Sequence, residues 1–207
     1  MNAKLNSINR FISSGVSIID PHTTYIGKDV RIGRHTIIYP LTVIEDNVRI
    51  GKNCQIGPFS RLRSGTRLKD DVHIGNFVEV VRSQLGKDSK AKHLTYLGDV
   101  EIGERVNVGA GTIVANYDGR HKNKTKVGNG AFIGSGTILI APVKIGRQAI
   151  TGAGAVVTKN RNVPDRTVVV GVPARVLKGL SPTCPEERSL PERGRSRGKG
   201  TELRTSA

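Results

Sequence analysis

Residues 26–79 read IGKDVR IGRHTI IYPLTV IEDNVR IGKNCQ IGPFSR LRSGTR LKDDVH IGNFVE, nine hexapeptides without interruption. Every first position, continued by Val80, is Ile, Leu or Val. An α-helix repeats its apolar residues at about 3.6 and a half-buried strand at about 2. A period of six fits neither. It fits a short strand plus a corner, repeated so that every sixth side chain points inward, which is a hexapeptide parallel β-helix. The fifth positions (Val30, Thr36, Thr42, Val48, Cys54, Ser60, Thr66, Val72, Val78) are small or β-branched, as a narrow interior demands. Gly recurs at the second position, where a corner needs a residue without a Cβ.

Three such sides make one coil, with neighbouring coils about 4.8 Å apart. Each buried aliphatic residue contributes about 1.5–3 kcal/mol, and adjacent coils supply one another's backbone hydrogen bonds. Stability therefore accumulates rung by rung, and a single rung would not fold.

Toward the N-terminus, Leu5, Ile8 and Ile12 stand at helical spacing within residues 2–14, enough for a short amphipathic helix covering the first rung. Toward the C-terminus the period shortens to five residues at 80–84 and again at 97–101, on either side of His93. It breaks after Val114: residues 115–126 leave the prism before Val127 restarts the count. So long an excursion from a compact solenoid points to function. About eight more sides follow, led by Val, Ile, Leu, Ile, Thr, Val, Val and Val from Val127 to Val169. The ending VVVGVPARVLKG closes the solenoid. The expected organisation is a cap at 1–15, a β-helix domain at 16–177 with its loop at 115–126, and a basic tail at 178–207. That tail is rich in Pro, Gly, Ser and charge, without apolar periodicity, and is expected to be disordered.

The composition suits this all-β reading. Aromatic residues make up 4% and Trp is absent, while 25 residues are Gly, so the core is aliphatic and the corners are tight. A formal charge of +16 points to an anionic partner: nucleic acid, a membrane surface or a phosphorylated small molecule. The tail's seven basic and four acidic residues supply little of it, so the charge sits on the folded body. The start MNAKLNSINRF has no secretory apolar run, and no stretch approaches the roughly 18 apolar residues of a membrane span, so a cytoplasmic protein is expected. Cys54 falls at an inward position and Cys184 in the tail, which suggests neither a disulfide nor a thiolate metal site.

At residues 93–126, HLTYLGDVEIGERVNVGAGTIVANYDGRHKNKTK, a regular scaffold is interrupted by polar chemistry. HLTYLGDVEIG, GAGTIVANYDGRHKNKT and the GNFVE of residues 75–79 closely resemble the acetyltransferase half of the bifunctional N-acetylglucosamine-1-phosphate uridyltransferase/glucosamine-1-phosphate N-acetyltransferases. The match runs over residues 15–158. It implies a left-handed β-helix, a homotrimer with active sites between subunits, and acetyl transfer from acetyl-CoA to glucosamine-1-phosphate. The product would be N-acetylglucosamine-1-phosphate, for UDP-N-acetylglucosamine and cell-envelope synthesis. No Gly-rich nucleotide loop precedes the solenoid, so this chain is not expected to make the sugar nucleotide by itself.

The resemblance assigns roles residue by residue. His93 is the base that frees the amine, and its ordinary pKa near 6.5 suits that work. Glu79 is the carboxylate that would fix its tautomer. Arg63, Tyr96 and Lys122 match positions that hold the sugar phosphate, and Asn107 and Asn116 match those near the sugar and its amine. Ala110, Tyr117, Ser135 and Ala153 match the lining of the coenzyme A groove. No metal is called for.

Two departures accompany the match. A substrate-binding lysine of the family is replaced by Val81, with Arg82 beside it. Adjacent strand residues face opposite ways, so Arg82 can substitute only if the five-residue rung re-aims it. The family's coenzyme-binding arginine aligns near Gly171, with Arg175 the available replacement.

Three other readings compete. One is an N-acetyltransferase of another or a nucleotide-linked amino sugar. A hexapeptide carbonic anhydrase would need histidines converging on zinc, yet His22, His35, His73, His93 and His121 include no pair five apart. A non-catalytic basic solenoid binding polyanions would show salt-sensitive binding, with few aromatic residues for stacking on single strands.

Overall fold

The computed structural model describes residues 2–179, with side chains from Ile8 onward. Helix α1, Asn2–Ser13, caps the open end of the solenoid. Ile8 and Phe11, three apart, are buried, whereas Ile12 is 44% exposed. The face turned to the core is thus rotated from the spacing first read in the sequence, because the ring of Phe11 fills the first rung.

Beyond the helix the described residues form a parallel β-helix of three sheets, ten-, eight- and seven-stranded, visited in rotation as far as Val156–Val157. The first face runs from Ser17–Ile18 upward, the second from Tyr25–Ile26 and the third from Arg31–Ile32. Most strands are two residues long, and each pairs in parallel with the strand one coil away, as Ile38 does with Ile56 and Ile44 with Leu62. All nine fifth positions from Val30 to Val78 are buried, as are the first positions except the partly covered Ile32. Cys54 is one of them, a free thiol whose burial pushes its pKa up to about 11.

The coil repeat is 18 residues in the lower prism, as in Lys28 N–H donating to Asp46. It falls to 17 where the two five-residue rungs lie, as between Asn76 and His93. The excursion is also tighter than the sequence suggests. Ala115 stays in the strand Ile113–Ala115, and Thr125 and Lys126 belong to Thr125–Val127, so residues 116–124 leave the prism.

The top is closed by Val168–Val170 and Arg175–Val176, which pair antiparallel across the turn at Gly171 (φ +92°). Residues 180–207 lie outside the described part, and with them Cys184 and nearly all of the expected tail. No helix among the described residues is long and apolar enough to cross a membrane.

Candidate active site

The first of two groups sits on the edge where the first face turns into the second. His93 ends the strand Lys90–His93, one coil above Asn76, and its Nδ1 lies 2.9 Å from Asn76 Oδ1. An amide oxygen only accepts, so Nδ1 carries the proton and donates it. Nε2, which this contact does not engage, lies on an exposed ring.

Above His93 the same edge is lined by small residues. The register that pairs Ala91 with Val108 puts Ala110 one coil up. Gly136 N–H donates to Ala110 O and Gly154 N–H to Ser135 O, stacking Ala110, Ser135 and Ala153 in consecutive coils. Gly111, Gly136 and Gly154 turn the corner there at φ +74°, +69° and +69°. The result is an edge of small residues leading away from the histidine. Tyr117 is not part of it; it lies in the excursion, 60% exposed, with its hydroxyl donating to Gly119 O.

The second group lies on the second face and its far corner. Glu79 and Tyr96 are direct cross-strand partners. Glu79 does not reach His93; its Oε1 accepts from Arg63 Nη1 at 3.0 Å. The carboxylate expected to orient the histidine is therefore occupied by an arginine, and Asn76 stands in the orienting position. Arg63 Nε is buried without a hydrogen-bond partner, with Glu45 Oε1 3.9 Å away. A buried unpaired donor on a cation suits an incoming anion.

Val81 is buried, so nothing charged stands at its position. The short rung does re-aim Arg82, which occupies a left-handed corner at φ +47°. Its Nε and Nη2 each donate to Asp99 at 2.7 Å. Asp99 also accepts from the side-chain amide of the buried Asn116. Arg82, above all, holds the Asp99 carboxyl below its usual range, helped by the Asn116 hydrogen bond and the charge of Lys122, against the opposing effect of burial. Gly98 lies beneath this cluster. A Cβ there would meet Asn116 Nδ2 at 2.6 Å and Tyr96 Oη at 2.7 Å, so only glycine lets these two groups lie over the strand.

The excursion that carries Lys122 is an ordered hairpin. Tyr117 and Lys122 bridge antiparallel, and Asp118 caps the turn by accepting from the N–H groups of Arg120 and His121 and from the Asn123 side chain. These bonds, the His121 N–H first, push the Asp118 carboxyl far below its ordinary value. Asn107 stands apart, outward on the first face between Lys90 and Phe132. Arg175 lies on the closing strand, its Nη1 donating to Ala174 O.

The structure thus gathers Arg63, Glu79, Tyr96 and Asn116 on and beside one face, with Lys122 on the hairpin near Asp99, and His93, Ala110, Ser135 and Ala153 on an edge. No hydrogen bond or ion pair among the described residues joins the two groups. Asn76 and Asp99 were not singled out from the motifs, yet Asn76 is bonded to His93 and Asp99 to Asn116, and Arg82 joins the second group through Asp99.

The bacterial transferase hexapeptide family (six repeats) matches residues 47–82 and 124–159. The chain is 47% identical over 209 residues to the bifunctional protein GlmU of Fervidobacterium nodosum, a match covering 85% of this chain and 46% of that protein. The chain carries the repeats of the bacterial transferase hexapeptide family. Over 82 residues it is 65% identical to the bifunctional protein GlmU of Granulibacter bethesdensis, covering 40% of this chain and 18% of that one. The chain spans about half the length of the curated relatives it matches along most of its own length. Among solved structures, LpxA from Acinetobacter baumannii superposes with a TM-score of 0.53 at 18% identity, covering 77% of this chain and 73% of that one, a likeness of fold alone. The resemblance read from the 75–79 and 93–126 motifs is thereby borne out.

Proposed function

We propose that this chain transfers the acetyl group of acetyl-CoA to the amine of glucosamine-1-phosphate. The observation that carries the reading is the His93–Asn76 contact, which engages Nδ1 and leaves Nε2 open at the foot of an edge of small residues. His93 Nε2 takes a proton from the amine as its nitrogen attacks the thioester carbonyl. The N–C bond forms, the C–S bond breaks, and coenzyme A leaves as its thiol on receiving a proton. The pantetheine arm would run along Ala110, Ser135 and Ala153, where no larger side chain obstructs it. Arg63, Tyr96, Lys122 and the free donors of Arg82 would hold the sugar phosphate.

The two groups face different ways on one chain, so the reading includes a homotrimer in which one subunit's edge meets the next subunit's second face. Leu41, Phe59, Phe77 and Leu94 support it. They are 45%, 48%, 55% and 61% exposed along the His93 edge, and the rings of Phe59 and Phe77 stack at 5.3 Å. An apolar ridge of this kind is suited to burial against another copy. A cytoplasmic location belongs to the same reading, since acetyl-CoA would be its donor.

The test is release of free thiol from acetyl-CoA with glucosamine-1-phosphate, comparing the intact chain with His93→Ala. Loss of a general base should lower kcat by about 10²–10⁴-fold while the oligomer persists. A nucleotide-linked amino sugar is the second reading, favoured by the buried Val81. Preference for such an acceptor over the sugar phosphate would select it. Silence with every amino sugar would remove the enzyme reading.

A further inference from the structure

The third face, opposite the edge that carries His93, bears an uncompensated arginine ladder. Arg31, Arg49 and Arg67 are cross-strand partners in three successive coils. Parallel in-register pairing sets such side chains about 4.8 Å apart, and like charges directly opposite repel. Elsewhere on the prism the arginines Arg61, Arg63, Arg82, Arg105 and Arg147 each meet a carboxylate. Among the described residues, none of the three ladder arginines makes a side-chain hydrogen bond or ion pair.

The ladder is also concave. Arg31, Arg49 and Arg67 line a cavity together with Arg10 of α1, Asn47 and Ser64. The Arg10 guanidinium is held over the Phe11 ring at 4.7 Å, which steadies it at the cavity wall. The nearby acidic groups are mostly engaged. Glu45 is taken by Arg61 and the Ser64 N–H, Asp46 by the Lys28 N–H, and Glu101, two coils above Arg67, by Lys126. Asp29 alone enters the cavity wall as a carboxylate.

The geometry points to an anion site on this face for a linear oligophosphate, a chain of several linked phosphate groups. Three guanidiniums span about 10 Å over two coil spacings, too far for one phosphate to meet them all. Each presents fork donors suited to phosphate oxygens. No aromatic side chain lines the cavity, so it offers no platform for stacking bases. A polynucleotide is the less favoured occupant.

The test is isothermal titration of the intact chain with inorganic tripolyphosphate, orthophosphate and a single-stranded oligonucleotide. Tripolyphosphate should bind about tenfold or more tighter than orthophosphate. Arg49→Gln should weaken it by about tenfold and R31Q/R49Q/R67Q should abolish it, with thiol release unchanged. The pair K126Q/K144Q, higher on the same face, should bind like the parent. Tripolyphosphate should also raise the Tm of the parent and not of the triple variant. Binding that survives in the triple variant, or falls equally in K126Q/K144Q, overturns the site. Oligonucleotide binding through the ladder that exceeds tripolyphosphate binding overturns the choice of ligand.

Discussion

His93 Nδ1 and Asn76 Oδ1 meet at 2.9 Å across one coil, and this contact decides which ring nitrogen is free to act. Losing one neutral hydrogen bond costs about 1 kcal/mol, so Asn76→Ala should lower kcat about fivefold with little change in KM for acetyl-CoA. Asn76→Asp makes a sharper test. A carboxylate at that distance favours the imidazolium and raises the pKa of His93. The acid limb of the kcat profile should then move to higher pH. Unaltered pH–rate profiles in both variants would rule out the positioning role.

Arg82, Asp99 and Asn116 form a second chain of contacts whose stability depends on pH with a definite sign. The carboxyl of Asp99 is held below its unfolded value, first by the Arg82 hydrogen bonds. Its contribution is therefore fully present above the unfolded carboxylate pKa of about 3.9 and is lost as pH falls through the lower folded value. Asp99→Ala leaves the buried Asn116 amide without its acceptor. We expect a loss of about 1–3 kcal/mol at pH 7 by urea denaturation, and a smaller difference from the parent at pH 3. A difference that stays constant between the two pH values would contradict the assignment.

Much of this was legible once the count was kept. The hexapeptides placed the core because each inward position obeys the same geometry, from Val30 to Val78. The same count could have found the residues missed at the site. Each five-residue rung shortens the coil from 18 to 17, and stepping by 17 leads from Asn76 to His93, and from Arg82 through Asp99 to Asn116. Glu79 was read as the orienting residue from motif likeness alone, and the same step puts it beside Tyr96 instead. The pairing of Glu79 with Arg63 was less accessible, since it depends on side-chain reach across the lower coil. The helix face was misjudged because Ile12 and Phe11 both satisfy a loose apolar spacing, and only packing against the first rung selects Phe11.

Two glycines separate fold from site. A Cβ on Gly75 would meet Lys92 O at 1.9 Å, a backbone atom that moves only if the coil does. Gly75→Ala should cost about 1–3 kcal/mol and reduce the yield of folded protein. At Gly98 the obstacles are the ends of the Asn116 and Tyr96 side chains, which can swing aside. Gly98→Ala should leave the unfolding free energy in urea within about 1 kcal/mol of the parent while raising KM for the sugar phosphate, with KM for acetyl-CoA unmoved. Equal damage to stability in both variants would mean that the Tyr96–Asn116 cluster serves the fold and not the acceptor.

Phe77 offers the test of the subunit arrangement. It sits at φ +55°, an uncommon conformation for a bulky residue, 55% exposed and stacked on Phe59 one coil below. Its side chain is outside the core of its own chain, so Phe77→Asp should leave the β-helix folded, with circular dichroism unchanged. A charge buried against a second copy is costly unless paired, so the oligomer should dissociate in sedimentation and thiol release should fall by about 10²-fold or more. Raising the protein concentration should restore part of that activity, because mass action opposes dissociation. A folded Phe77→Asp monomer with full activity would mean that a single chain holds the whole site, and that the acceptor cluster on the second face is not where the sugar phosphate binds.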